Sequence, residues 1–205
     1  SSTNSETCEE DEDYNPDDLE ITIELLDYLK KSRFDNQIFF DDIGKALYNS
    51  TEGTSQGLQI WKSFCHRSSK FDQAYCNGRY PSFEHNNITV KTIAWYARMD
   101  DINNYKSWHE KWCMPKLKQC VCDQEHVVVA EAFYRVFWLE YFCTGKKWFE
   151  FRRSKLVLLK DEILVRKAIT DKFVPYLDKL QIQINMEKMK YNTGQRSSIV
   201  KEKIK

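Results

Sequence analysis

Histidines and cysteines crowd one stretch of the chain: His109-x3-Cys113-x6-Cys120-x-Cys122-x3-His126. Imidazole nitrogens and thiolates are the ligands of tetrahedral zinc, which takes four of them. Pro115 favours a compact loop here, but zinc knuckles usually space their cysteines Cys-x2–4-Cys, and Cys120-x-Cys122 is tighter. Buried, reduced thiols are the competing reading and the better one. A second group joins charge to aromatic rings: Lys146, Lys147, Arg152, Arg153 and Lys155 surround Trp148, Phe149 and Phe151. Cations beside rings suit single-stranded nucleic acid, through phosphate attraction and base stacking. Side chains alternate along a strand, so the three rings cannot all face one ligand. The alternative is that the rings are core and the bases simply solvated.

Other chemistries lack their parts. A phosphate-binding loop needs Gly-x-x-x-x-Gly-Lys-Ser/Thr, because backbone amides wrap the phosphates and the hydroxyl holds magnesium. Gly44-Lys45 is followed by Ala46 and has no upstream glycine, and Gly53 to Gly57 carries no lysine. A cysteine nucleophile paired with His66 is unpromising, since Cys65 and His66 are neighbours and do not face each other on a helix. No catalytic constellation emerges.

These residues must be held by the elements around them. The run His126–Phe142 reads as one helix, with Val129, Phe133, Val136 and Phe137 on its apolar face and Glu131–Arg135 as an i,i+4 pair. Gly145 breaks it. Trp148–Phe151 and Leu156–Lys160, divided by Arg152-Arg153-Ser154-Lys155, read as a basic-tipped hairpin. A helix at Ile163–Phe173 follows, ending at Pro175. Upstream, Asp17-Asp18 cap a helix with a stripe of Leu19, Ile23, Leu26 and Tyr28-Leu29. Helices at Phe39–Tyr48, Leu58–Cys65 and Val90–Met99 come next, the last capped by Thr89. Asp41-Asp42 supply negative charge near the start of the first of these. Asn49–Gly57 reads as a loop. Residues 100–125 read as a connection with short helical pieces. The fold class is mainly α, as two small helical modules with a short β-hairpin in the second. The boundaries are 1–16 for an acidic leader, 17–100, a connector at 101–125, 126–180, and a tail at 181–205.

The 205 residues, 14% of them aromatic, suffice for a real core. A net charge of zero hides an asymmetry: residues 1–20 carry nine acids and no base, which leaves 22 acids against 31 bases, or +9, for the rest. A basic body with an acidic leader is compatible with nucleic-acid contact. Seven cysteines without a secretory signal read as reduced intracellular thiols. No run of about 18 apolar residues suggests a membrane span. The chain opens at Ser1 rather than Met and reads either as processed or, the better reading, as part of something larger.

Two successive patterns resemble known families. Leu25-Leu26-x-x-Leu29, Asp42-Ile43-Gly44-Lys45-Ala46-Leu47-Tyr48, Gly57-Leu58-x-Ile60-Trp61-x-x-Phe64, Lys70-Phe71-Asp72, Cys76, Tyr80-x-Ser82-Phe83 and Thr89-Val90-x-Thr92-Ile93-x-x-Tyr96-Ala97 together resemble the primase C-terminal helical domain (PriCT type) of viral and plasmid replication proteins. Tyr80 stands where that family often has Trp. His126-x-x-x-Ala130, the aromatic run to Phe142, Trp148-Phe149-x-Phe151 and Leu164-x-x-Lys167-x-Ile169 resemble the domain preceding the ATPase in poxvirus-type primase–helicases of nucleocytoplasmic large DNA viruses. The cysteine-rich connector suggests an asfarvirus or giant-virus version.

The resemblance implies a parent protein with a primase upstream and a superfamily 3 hexameric ATPase downstream. ATP and Mg are expected for that parent and no cofactor for this segment, to which no catalytic residue carries over. The implied role is a connector and collar. Its implied partners are single-stranded or forked DNA, further copies in a hexameric ring, and other viral replication proteins, with no membrane. The implied place is the reducing host cytoplasm at replication sites, or the nucleus early.

Overall fold

The computed structural model describes residues 17–85, 87–123, 125–144, 147–152 and 155–203; at 17–18, 152, 155–156 and 191–203 it describes the backbone. The acidic leader at 1–16 lies outside the described residues. The fold is mainly α with one small sheet, as the hydrophobic periodicity indicates. It divides into two units, Ser1–Tyr105 and Lys106–Lys205.

The first unit holds α1 (Asp17–Leu26), the single-turn α2 (Lys31–Phe34), α3 (Gln37–Ser50), α4 (Ser55–Cys65), α5 (Gln73–Arg79) running into a 3-10 turn at Tyr80–Ser82, and α6 (Val90–Asp100). Three of the starts have a local cause. Asn36 accepts from the Ile38 amide at 3.0 Å, Asp72 from Tyr75 at 2.9 Å and Thr89 from Lys91 at 3.3 Å, so three helices begin on side-chain caps. Helix α3 is the hub and packs on α1, α2, α4 and α6 through Phe40, Ile43, Ala46 and Leu47. Trp61 lies fully buried among Phe40, Tyr75, Tyr80 and Phe83, with ring centroids 5.0–6.3 Å away. Gly44 makes that possible: a Cβ there would sit 2.7 Å from the indole and 2.8 Å from Phe83.

Two expectations shift. The buried face of α1 is Ile21, Leu25 and Leu26, continued by Leu29, while Leu19 and Ile23 are half-buried. Helix α1 packs against both α3 and α6, and the apolar period alone does not show which side two partners cover. The expected loop at Asn49–Gly57 shrinks to a turn, because α3 persists to Ser50 and α4 starts at Ser55. Glu52 and Gly53 make that turn in the left-handed region, at φ 51° and 72°.

Helix α7 (Ile102–Cys122) carries the chain into the second unit, followed by α8 (His126–Phe137), β1 (Tyr141–Thr144), β2 (Lys147–Arg152), β3 (Lys155–Leu158), α9 (Ile163–Ala168), a π-helical turn (Ile169–Phe173) and α10 (Val174–Lys203). The core joins Cys113, Leu117 and Cys120 to Val128, Ala132 and Phe137, then to Ala168, Phe173 and Leu180.

Three readings need correction here. The expected helix His126–Phe142 ends at Phe137, and its last residues form β1. The aromatic run is apolar at both helical and strand periods, and pairing with β2 decides it. The connector read as short helical pieces is one helix, with Pro115 inside it. Proline in a helix interior costs about 3 kcal/mol, which the burial of Cys113, Leu117 and Cys120 along one face outweighs. Pro175 likewise does not end its helix. The wider π turn lets the Val174 amide reach the Ile169 carbonyl, and the helix absorbs the missing proline N–H.

Candidate nucleic-acid interface

The expected two-stranded hairpin is a three-stranded antiparallel sheet in the order β1-β2-β3. Its register sorts the rings. Phe142 pairs with Phe149 and Phe149 with Leu158, while Thr144 pairs with Lys147, so these share one face. Tyr141, Cys143, Trp148, Glu150 and Val157 share the other. Tyr141 packs on the helical core, and Trp148 meets Phe133 edge-on at 6.4 Å. The inward ring of the Trp148-Phe149-x-Phe151 motif is therefore Trp148, and Phe149 lies on the opposite face beside Phe142, with centroids 6.3 Å apart. Phe142 and Leu158 are 39% and 53% exposed, a large apolar exposure for side chains on one small sheet.

The cations divide between the two faces. Lys147 is exposed at the start of β2. Arg152 and Lys155 form the last β2–β3 pair, in step with Glu150 and Val157, so their register positions belong to the face of Trp148. Lys146 and Arg153 lie outside the described residues. A cleft of about 740 Å3 opens beside the sheet, lined by Lys147, Trp148, Leu158, Lys160, Glu162 and Arg166 among others. Arg166 bonds Glu162 at 3.2 Å, one turn away on the same helical segment.

The metal-like set is not gathered. His109, Cys113 and Cys120 lie on α7, Cys122 is exposed at its end and His126 is exposed at the start of α8. His109 donates from Nε2 to the Arg135 carbonyl at 2.8 Å, with the Cys113 sulfur 3.5 Å away. Cys113 and Cys120 are two turns apart and face the core. Burial pushes the Cys113 thiol up to about 12 and raises Cys120. Among the described residues, no group of three or more His, Cys, Asp or Glu side chains is placed to hold a metal ion. In the first unit Cys65 is buried while His66 is exposed, so the two neighbours do not meet as a catalytic pair. Gly44-Lys45 lies inside α3, not in a loop.

What the sequence concealed is how the first unit uses its arginines. Arg33 binds Asp100 through Nε at 2.5 Å and Nη2 at 2.9 Å while its guanidinium lies 4.2 Å from the Tyr96 ring centre. Arg67 donates to the Leu26 and Leu29 carbonyls at 2.9 and 3.3 Å over Phe34. Arg79 holds Asp41, which also accepts from the Tyr75 hydroxyl at 2.8 Å. Asp42 accepts from Tyr96 at 2.7 Å, and burial together with that carboxylate holds the Tyr96 phenol well above its usual value. Asp41 and Asp42 are thus buried acceptors, where the sequence suggests helix-dipole charges. The partners stand 34–67 positions apart in the chain, and no local pattern announces them.

Residues 22–97 match the family model described as primase C terminal 2 (PriCT-2). The match supports a primase-associated domain in the first unit and a role in DNA replication. No curated protein matches the chain.

Proposed function

We propose that this chain is the non-catalytic connector and collar segment of a viral primase–helicase. In this reading it joins a primase to a superfamily 3 hexameric ATPase and touches single-stranded or forked DNA. The observation that carries the reading is the primase C-terminal 2 match at residues 22–97, followed in the same chain by a helical unit with a cation-flanked aromatic sheet. The resemblance of residues 126–169 to the domain preceding the ATPase in poxvirus-type proteins supports the helicase link and the viral, asfarvirus-like origin. ATP and Mg then belong to the parent chain, its partners are other copies in a ring and other replication proteins, and its place is the host cytoplasm or early nucleus.

Fluorescence anisotropy with a labelled single strand and a fork, at two salt concentrations, tests the DNA contact. Weak, salt-sensitive binding is expected. Arg152→Ala/Arg153→Ala and Lys147→Ala should weaken it and lower the salt slope by about 1 for each phosphate no longer neutralised. Unchanged affinity in both variants removes the sheet from the DNA path. A Walker A loop in the coding sequence downstream of residue 205 supports the connector role, and a native polypeptide ending there with no motor attached overturns it.

A further inference from the structure

Helix α10 carries apolar side chains on two opposite sides. Leu177, Leu180 and Ile184 pack against the helical core. Ile182, Met186 and Met189 recur at i, i+4 and i+7, which sets them in one line about half a turn round the helix from that face. They are 60%, 54% and 69% exposed, so the core of the unit does not take them up. A helix that packs on one face gains nothing from a second apolar stripe in water. Polar bonds run along both sides of the stripe. Gln181 Nε2 donates to Asn185 Oδ1 at 3.2 Å on one, and Gln183 Nε2 to Glu187 Oε1 at 3.3 Å on the other. The charges beside the stripe identify its occupant. Between Leu177 and Met189 they are Asp178, Lys179, Glu187 and Lys188, and their signs are reversed about Gln183. Two copies of α10 laid antiparallel across a dyad at Gln183 therefore set Asp178 of each against Lys188 of the other. On the other side of the stripe they set Lys179 against Glu187. The same dyad brings Ile182 of one protomer between Ile182 and Met186 of its partner, about 3 Å along the axis from each.

We infer that the outer stripe of α10 is a two-fold contact with a second copy of this chain. Helix α10 pairs antiparallel with α10, through Ile182, Met186 and Met189, and the Lys179–Glu187 and Asp178–Lys188 pairs fix the register. A parallel pairing in register would set each of these charges against its own kind. The contact is isologous and closes at two copies, so it is separate from the head-to-tail contact that a ring needs. It goes beyond the connector reading. The stripe and its charges span about 18 Å of helix. Two such segments cover less than the roughly 1,200 Å2 of a stable interface, which makes this a weak dimer that concentration controls.

Sedimentation equilibrium of the full 205-residue chain in reducing buffer, from about 5 to 500 μM, tests the contact. A reversible monomer–dimer equilibrium is expected. Met186→Lys puts a charge in the middle of the stripe and should weaken the dimer at least about tenfold. Met186 is exposed, so the fold should survive the change, and circular dichroism checks that it does. Lys179→Glu and Glu187→Lys each set like charges together twice, once on either side of the dyad. Each should weaken the dimer by about three- to tenfold. The double reversal restores opposite signs and should return the affinity to within about twofold of the wild type. A monomer at every concentration overturns the inference and gives the stripe to another protein or to a further segment of the same polypeptide. A dimer that Met186→Lys leaves intact lies elsewhere on the chain and overturns it too. A hexamer in place of the dimer assigns the stripe to a ring and rejects the two-fold pairing. Single reversals without effect, or a double reversal that does not rescue, reject the antiparallel register and the inference with it. The DNA binding tested above enters none of these outcomes, so the connector reading can fail while the dimer stands.

Discussion

Arginine beside an aromatic ring means different things in the two units. In the first, Arg33, Arg67 and Arg79 lie over Tyr96, Phe34 and Phe83, and each also bonds a carboxylate or a carbonyl of its own chain. The guanidinium groups are satisfied internally, and the rings they cover are part of the structure. The second unit has such a clamp too, Arg135 over Trp112 with a 3.1 Å bond to the Trp112 carbonyl. Its sheet instead exposes Lys147 and, in part, Phe142, Val157 and Leu158. Pairing cations with rings therefore identifies a ligand surface only where the fold leaves both open to solvent. The family match falls on the unit that turns these groups inward.

The largest effect should come from the ring at the centre of the first unit. Trp61→Ala removes a fully buried indole and should destabilise that unit by about 3–5 kcal/mol. Hydrogen exchange should speed up across residues 22–97 while the protection of α7 and α8 stays. Simultaneous loss in both units would break the comparison, since it would make them one cooperative body. Next comes the Arg33 clamp. Asp100 is 8% exposed at its side chain and accepts two guanidinium bonds and the Lys30 amide at 3.0 Å. Asp100→Asn leaves a partly buried cation short of its counter-charge, at a cost of about 2 kcal/mol. Urea denaturation measures it, and a cost near zero would mean that the rings alone satisfy Arg33.

The helices were legible because their apolar positions repeat with the right period and because Thr89 marks one start. The fold class followed from that. Two kinds of information were not local. Trp138–Phe142 is apolar at every position but Glu140 and suits either helix or strand, so only the presence of β2 makes it a strand. The clamps likewise join residues far apart in sequence, as Arg33 and Asp100 are. The candidate site was legible as a composition, bases around rings, but not as a geometry. The register sets Phe142 beside Phe149 and puts Trp148 on the opposite face together with the positions of Arg152 and Lys155.

Pro115 separates tertiary packing from local preference in the second unit. It sits in the interior of α7, where its ring opposes the preceding turn and no amide is available for a bond. Pro115 itself is exposed, so its replacement leaves the core undisturbed. Pro115→Ala should stabilise the second unit by about 2 kcal/mol, somewhat below the full propensity difference because the native helix has already relaxed around the ring. A rise in thermal midpoint confined to that unit is the expected readout. No change would mean that α7 gains nothing from a regular backbone at this point.

The smallest effect concerns thiols, and it asks whether the two cores are equally closed. Burial pushes Cys76 in the first unit and Cys113 in the second up to about 12, against an ordinary thiol near 8.5. A raised value in the folded state means that folding favours the protonated form. The stabilisation is therefore complete below the unfolded value and is lost as pH rises from about 8.5 toward 12. For Cys113, 3% exposed, the loss should reach about 1 kcal/mol by pH 9.5. Comparing urea midpoints at pH 7.5 and 9.5 isolates it, because Cys113→Ala abolishes that one titration and should reduce the alkaline loss by the same amount. Alkylation of the native chain at pH 8 gives the complementary view. Cys122 and Cys143, both exposed and both in the second unit, should react, while Cys65, Cys76, Cys113 and Cys120 should react only on unfolding. If Cys113 were labelled as fast as Cys143, the helical core beneath the sheet would be open to solvent. The contrast between a closed first unit and an open second one would then extend from the sheet face into the core itself.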